Sequence, residues 1–298
     1  MRTADSLRML GLAAVWGASF MFMRMIVPVL GALPTAFFRV LLATGGLFAI
    51  ALLLRIRLRY QGKLGLALLL GVVNSGIPFA MYSVAARVLP AGYSAIFNAT
   101  TPLMGAVIGA LFFSEKLTPL KVAGVFLGIA GVAILTNAGP VKLTPEVLMG
   151  AGACLIATAC YGLGGFLTRK WISEKGGLDS TLLALGSQLG AVLLLLPFAA
   201  YSVLAAPPVS WGGSGVWLAM AGLGLACTAF AYIIYYRLIA DISPTRSMTV
   251  TFLIPPFGVL WGVIFLNETL TLAHFVGGAC ICAAIWAMLR SPAKERKR

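Results

Sequence analysis

One stretch of this chain occurs twice. Ser94 to Glu115 reads SAIFNATTPLMGAVIGALFFSE, and Ser247 to Glu268 reads SMTVTFLIPPFGVLWGVIFLNE, at a constant offset of 153 residues. Carried on to Leu135 and Met288, the alignment holds 10 identities in 42 positions, including Pro102/Pro255, Gly105/Gly258, Gly109/Gly262 and Glu115/Glu268. Chance similarity between two apolar helices does not readily place a proline, two glycines and a glutamate in register. A long internal repeat governs the reading of everything around it.

Fainter matches extend the duplication. Trp16, Gly17 and Arg24 align with Tyr161, Gly162 and Arg169 at an offset of 145, and Leu68, Tyr82 and Arg87 align with Leu218, Tyr232 and Arg237 at 150. The chain divides into a first half over 1–138, a turn-rich linker over 139–145 and a second half over 146–298 with a basic tail.

Composition decides the solvent. Of the 298 residues 60% are apolar and 10% charged, against about 25% charged in soluble domains. A bilayer crossing takes roughly 20 apolar residues. Ten stretches qualify, at about 6–27, 33–55, 64–87, 91–113, 119–137, 146–172, 178–202, 214–238, 243–266 and 271–290. The expected fold is an all-α integral membrane protein of ten transmembrane helices. Residues 1–27 count as the first helix rather than a signal peptide, since Arg24 interrupts their far end and the segment has a partner in the second half. Five helices per half send the second copy into the membrane from the opposite side, so the two repeats are inverted. Such repeats typify secondary transporters, with the substrate site near the midplane where the halves meet. The plainer alternative is duplication that only enlarged a scaffold.

The net charge of +14 would suit an anionic partner, but its placement points to topology. With the N-terminus in the cytoplasm, 18 of the 22 basic residues lie on the inner side, and only Arg24, Arg39, Arg87 and Lys142 lie in the outer half. That bias sets both termini in the cytoplasm and removes the case for nucleic acid. The five cysteines fall inside expected helices without metal-ligand spacing, so no metal or cofactor is expected.

Several residues could carry function. Ser94, Asn98, Thr101, Gly105 and Gly109 share one helix face, polar at one end and small at the other, where another helix can approach closely. A proline inside a helix frees the carbonyl four residues earlier. Pro102 would free Asn98, Pro78 would free Asn74, and Pro255 and Pro256 would free Thr251 and Phe252. The polar side chains there either re-satisfy the kinks or line a cavity at bending points. Asn74, Pro78 and Tyr82 form a stripe on the third helix. Tyr82 and Tyr232, with Trp16 and Tyr161, make four aromatic residues at repeat-related positions, suited to packing or to stacking on an apolar or flat substrate group. Gln188 is a further mid-helix polar residue expected to face inward. All eight acidic residues sit at expected helix ends or in loops, so a central carboxylate proton relay is not expected. Arg24 and Arg39 are read chiefly as interfacial residues whose heads reach water, or else as attractors of an anionic group. Glu115 and Glu268 would pair in a gate or cap helix starts at Thr118 and Thr271. The Gly124, Gly128 surface would serve a homodimer or intrachain packing.

These motifs resemble the drug/metabolite transporter superfamily, in particular its ten-helix EamA-type exporters. The resemblance rests on WGASF at Trp16 to Phe20, FFRVLLA around Arg39, PLMGAVIGALFFSEKLT at Pro102 to Thr118 and the GVFLGIAGVAIL segment from Gly124. It covers essentially the whole chain. It implies a cavity lined by helices 1, 3, 4, 6, 8 and 9, with the fifth and tenth peripheral, and is nearest to bacterial inner-membrane exporters of neutral and aromatic amino acids. The second and seventh helices match poorly, and Ala184 stands opposite Arg39. The expectation is an alternating-access exporter in the inner membrane. Asn74, Tyr82, Asn98, Thr101 and Gln188 would contact substrate, Trp16, Tyr161 and Tyr232 would wall the cavity, and Pro78, Pro102, Pro255 and Pro256 would set the bends. A carrier of drug-like compounds or of nucleotide-sugar anions is the alternative, ranked lower because the deep positions read as Asn, Thr and Tyr rather than Lys or Arg. A membrane-embedded lipid enzyme is remote, since no acid/base pair or metal cluster is spaced for it.

Overall fold

The computed structural model describes residues 3–114, 118–138, 142, 144–208, 210–242 and 250–290. Among them every regular element is helical, as a chain that must satisfy its backbone without water requires. The helices are α1 (Thr3–Leu30), α2 (Ala32–Leu53), α3 (Leu64–Gly71), α4 (Ile77–Ala85), α5 (Ala91–Asn98), α6 (Thr101–Phe112), α7 (Pro119–Ala138), α8 (Pro145–Trp171), α9 (Ser180–Ala205), α10 (Ser214–Ala221), α11 (Ala231–Ile242), α12 (Val250–Leu266) and α13 (Leu272–Arg290). Seven continuous helical stretches are long and apolar enough to cross a bilayer: Leu7–Leu30, Ala32–Leu53, Leu64–Ala85, Ala91–Phe112, Pro145–Lys175, Ser180–Ala205 and Ser214–Leu238. Shorter apolar helices cover Val122–Gly131, Leu253–Leu266 and Leu272–Ala284. The ninth stretch, expected from 243, is helical from Val250; residues 243–249, like Glu115, lie outside the described residues.

Helix starts follow local chemistry. The Asp179 carboxylate accepts from the amides of Thr181 and Leu182 at 2.9 and 3.2 Å at the head of α9, satisfying donors that an α-helix cannot pair internally. Thr144 accepts from Val147 at the head of α8. Pro78 and Pro102 sit in the first turn of α4 and α6, within the continuous stretches Leu64–Ala85 and Ala91–Phe112, so each still removes the donor to the carbonyl four residues back. Each follows a local change of helical winding. A π-helical segment, Val72–Gly76, precedes Pro78. A tight turn at Ala99 and Thr100, bonded three residues back to Ile96 and Phe97, precedes Pro102. Pro255 and Pro256 instead lie inside α12. A second π-helical segment, Gly222–Phe230, separates α10 from α11. Its start stands 150 residues after that of the first, which is the offset between Tyr82 and Tyr232. Periodicity does not distinguish an α-turn from a π-turn, so neither segment was legible in the sequence.

Packing interleaves the two halves. α1 lies along α12, α6 along α8, α2 along α9, and α7 along α13. Two crossings are made by glycines. A Cβ on Gly17 would stand 2.8 Å from the Gly258 amide nitrogen, and a Cβ on Gly162 would stand 2.7 Å from that of Gly105. Only a residue without a side chain admits such an approach. Gly128 packs inward on Leu103, so this part of the Gly124, Gly128 surface is occupied within the chain.

Candidate functional site

The aromatic residues singled out in the sequence meet at the seam between the halves. Trp16 of α1 touches Tyr232 of α11, with ring centroids 6.3 Å apart and edge-on. Tyr161 of α8 stacks on Tyr82 of α4 at 6.2 Å. Trp16 aligns with Tyr161 and Tyr82 with Tyr232, so matched positions meet twice across the halves, edge-on in one pair and stacked in the other. Tyr235, which the alignment did not bring forward, packs 5.1 Å from Trp16, and Phe20 stands edge-on to Tyr82 at 5.2 Å. Trp16 and Tyr161 are half-buried, whereas Tyr82 and Tyr232 are buried.

The polar residues fall into two groups. In the first, the Tyr82 hydroxyl donates to Asn98 Oδ1 at 3.0 Å, and the Thr101 hydroxyl donates to the Asn98 carbonyl at 2.7 Å. That carbonyl is the one Pro102 leaves without its helical partner, so the kink is satisfied locally. In the second, the Tyr232 hydroxyl donates to the Asn74 carbonyl at 3.1 Å, the acceptor freed by Pro78. Having spent its one hydrogen there, Tyr232 accepts from Ser75 at 3.3 Å. Ser75 in turn accepts from Gln188 Nε2 at 2.9 Å. The result is a one-directional chain from Gln188 through Ser75 and Tyr232 to the Asn74 backbone. Gln188 is fully buried, and its Oε1 has no partner among the described residues. Ser75 escaped sequence reading, although it neighbours Asn74. The freed carbonyls expected at Asn74 and Asn98 are therefore both bonded here, one within its own half and one across the seam.

Arg39 corrects an expectation. Instead of reaching for the interface it is 3% exposed. Its Nε donates to Thr228 Oγ1 at 2.9 Å, and its Nη1 lies 3.7 Å from Met23 Sδ. The guanidinium carbon stands 3.5 Å over the Phe79 ring. Thr228, inside the second π-helical segment, also donates to the Leu223 carbonyl five residues back. The extra residue in that turn leaves the Thr228 hydroxyl placed to serve both groups. A buried cation thus stands among the Asn, Thr and Tyr residues that the sequence placed inward. The second and seventh helices were set aside as the poorest match between the halves, which hid a cation carried inward.

At one end of the bundle the charges close over helix termini. Arg24 donates through Nη1 to the carbonyls of Ala86 and Arg87 at 2.8 and 3.1 Å, capping the C-terminal end of α4. Glu268 accepts from the amides of Ala91 and Gly92 at 2.6 and 3.1 Å. It thus caps the start of α5 rather than that of the helix at Thr271. Opposite charges at opposite helix ends are electrostatically favoured. These residues border an open cavity of about 540 Å³ with Pro28, Arg87, Pro90 and Leu266. At the repeat-related position, Arg169 pairs with Glu174 at 3.4 Å on the surface.

The EamA-like transporter family matches over residues 6–137 and 148–290. The chain belongs to that family. It is a multi-pass integral membrane protein and a membrane transporter, as the motifs around Trp16, Arg39 and Pro102 led one to expect. An uncharacterized transporter of Archaeoglobus fulgidus is 27% identical over 274 residues, 91% of this chain and 92% of its own length. A probable terminal-alkyne amino-acid exporter of Streptantibioticus cattleyicolor is 25% identical over 209 residues, 70% of this chain and 67% of its own. A solved crystal structure superposes with a TM-score of 0.68 at 18% identity, with all of both chains covered. That likeness speaks to the fold alone.

Proposed function

We propose that this transporter is an alternating-access exporter of neutral amino acids with aromatic or apolar side chains, seated in a bacterial inner membrane with both termini cytoplasmic. Its ten crossings form two inverted five-helix repeats, 1–138 and 146–298, joined by 139–145. The observation that carries the reading is the doubled aromatic contact: Trp16 with Tyr232 and Tyr161 with Tyr82, repeat-related pairs that each bridge the halves. A substrate bound between those pairs touches both halves, as a carrier that rocks one half against the other requires. The crossings Gly17/Gly258 and Gly105/Gly162, the two matched family segments and the inward bias of basic residues support the inverted arrangement. The exporter named for amino acids among its relatives supports the substrate class.

In this reading Trp16, Tyr161 and Tyr232 wall the substrate, while Asn74, Tyr82, Asn98, Thr101 and Gln188 supply its polar contacts. Pro78, Pro102, Pro255 and Pro256 mark the places where helices bend. The changes of winding before Pro78 and Pro102 are joints at which α3 can move relative to α4, and α5 relative to α6. The test is counterflow in proteoliposomes: vesicles preloaded with phenylalanine, methionine or threonine take up the labelled compound. Transient accumulation without a pH gradient is expected. Its absence for all three in folded protein would overturn the substrate class. Unchanged transport in both Asn98→Ala and Tyr82→Ala would overturn the site.

A further inference from the structure

We infer that Arg39 is the anion anchor of the transport pathway and that it receives the carboxylate of a substrate bearing a single acid group. The inference rests on the transport reading above and names the chemical feature its substrate must carry. Arg39 is buried in a segment long enough to span the membrane. A guanidinium is not deprotonated in proteins, so a full positive charge is held in the interior. Its contacts are a hydroxyl, a thioether and an aromatic face, none of which neutralises it.

The acidic residues whose side chains are described are engaged elsewhere. Glu268 caps α5 and Asp179 caps α9. Glu174 pairs with Arg169, and Glu146 lies in the first turn of α8. A buried cation with no carboxylate partner among the described residues is costly in a membrane and marks a functional position. Phe79, beneath the guanidinium, stands edge-on to Tyr232 of the aromatic set with ring centroids 6.4 Å apart. An amino acid held between the ring pairs therefore has a fixed positive charge beside it. The planar fork of arginine matches a carboxylate in two parallel hydrogen bonds. Thr228 on Nε and Phe79 under the carbon hold the fork in one orientation. One cation suits one carboxylate; a pyrophosphate-bearing nucleotide-sugar would call for several.

The test uses the full chain in proteoliposomes, with phenylalanine counterflow inhibited by external phenylalanine, phenylalaninamide or 3-phenylpropionate. In wild type, both carboxylate compounds should inhibit about tenfold or more better than the amide, as expected of a site that hydrogen-bonds the missing group. In Arg39→Gln this preference should fall to within about twofold. Retention of the full preference in a folded Arg39→Gln protein overturns the inference while leaving the transport reading intact. If that variant does not fold, Arg39→Lys decides, because it keeps the charge and loses the fork. A rise in KM of about tenfold for phenylalanine is expected, and an unchanged KM overturns the inference. A wild type that moves no amino acid, yet is thermally stabilised by 3-phenylpropionate in an Arg39-dependent way, would end the amino-acid reading and keep the anchor. Neither transport nor stabilisation would end both.

Discussion

Tyr82 and Tyr232 occupy equivalent places in the two halves, and they bond differently. Tyr82 donates to Asn98 within its own half. Tyr232 reaches across the seam to the Asn74 carbonyl and receives Ser75. The same contrast holds between Arg39, buried on Thr228, and Ala184, its counterpart, which is wholly buried and apolar. The scaffold contacts do not diverge in this way: glycine meets glycine at both crossings, and aromatic meets aromatic in both pairs. Backbone approach tolerates almost no substitution, because added volume at such a contact must move a whole helix. A polar interior group can be exchanged once a new partner stands within reach. The matched positions thus share their backbone and ring contacts and differ in their polar ones, with Arg39 buried on one side and Ala184 on the other.

The largest effect should come from removing that difference. Ala184→Arg buries a charge at a wholly buried position whose neighbouring Ser187 hydroxyl already donates to the Ala184 carbonyl, and should cost about 3–5 kcal/mol. Thermal unfolding of the purified variant in detergent measures this, and a wild-type midpoint would mean that the Arg39 setting is not special. Next, Gly162→Val and Gly17→Val should destabilise by similar amounts, about 1–3 kcal/mol each by overpacking. A clear inequality in unfolding free energy would show that the two crossings are not equivalent. Double-mutant cycles then separate the tyrosines. Tyr82→Phe with Asn98→Ala, and Tyr232→Phe with Ser75→Ala, should each couple by about 0.5–3 kcal/mol. Tyr232→Phe with Asn98→Ala should couple by less than about 0.5 kcal/mol, and substantial coupling would merge the two polar groups into one. The smallest effect is at the helix ends. Asp179→Ala should cost about 0.5–2 kcal/mol as a lost N-cap, and Glu268→Gln less, since an amide oxygen still accepts. A larger loss for Glu268→Gln would give that charge a role beyond capping.

Much of the scaffold was legible. Helical stretches, their approximate bounds and the glycines of the crossings are written in apolar runs and in the repeat, because bilayer thickness and close packing act on residue type directly. The aromatic set was legible only as a set, since alignment between the halves picked Trp16, Tyr82, Tyr161 and Tyr232 out of many similar rings. Tyr235 and Phe20 lie beside them without a matched partner and were passed over. The prolines point to the Asn74 and Asn98 carbonyls, but the donors that reach those carbonyls, Tyr232 and Thr101, and the change of winding before Pro78 were not legible. Arg39 was misread because position along a helix says how far a Cα lies from the end, not where the long side chain beyond it goes.

By itself the sequence determined that this chain is helical, embedded in lipid and self-similar between Ser94–Leu135 and Ser247–Met288. Those properties follow from composition, run length and self-similarity, all additive along the chain. The tertiary structure decided which polar groups meet. Where Tyr232 finds its acceptor, and where a guanidinium settles on a hydroxyl and a ring, depends on helices distant in sequence arriving with their faces turned together. Side-chain hydrogen bonds are satisfied over a few ångströms, and sequence patterns do not resolve helix rotation that finely.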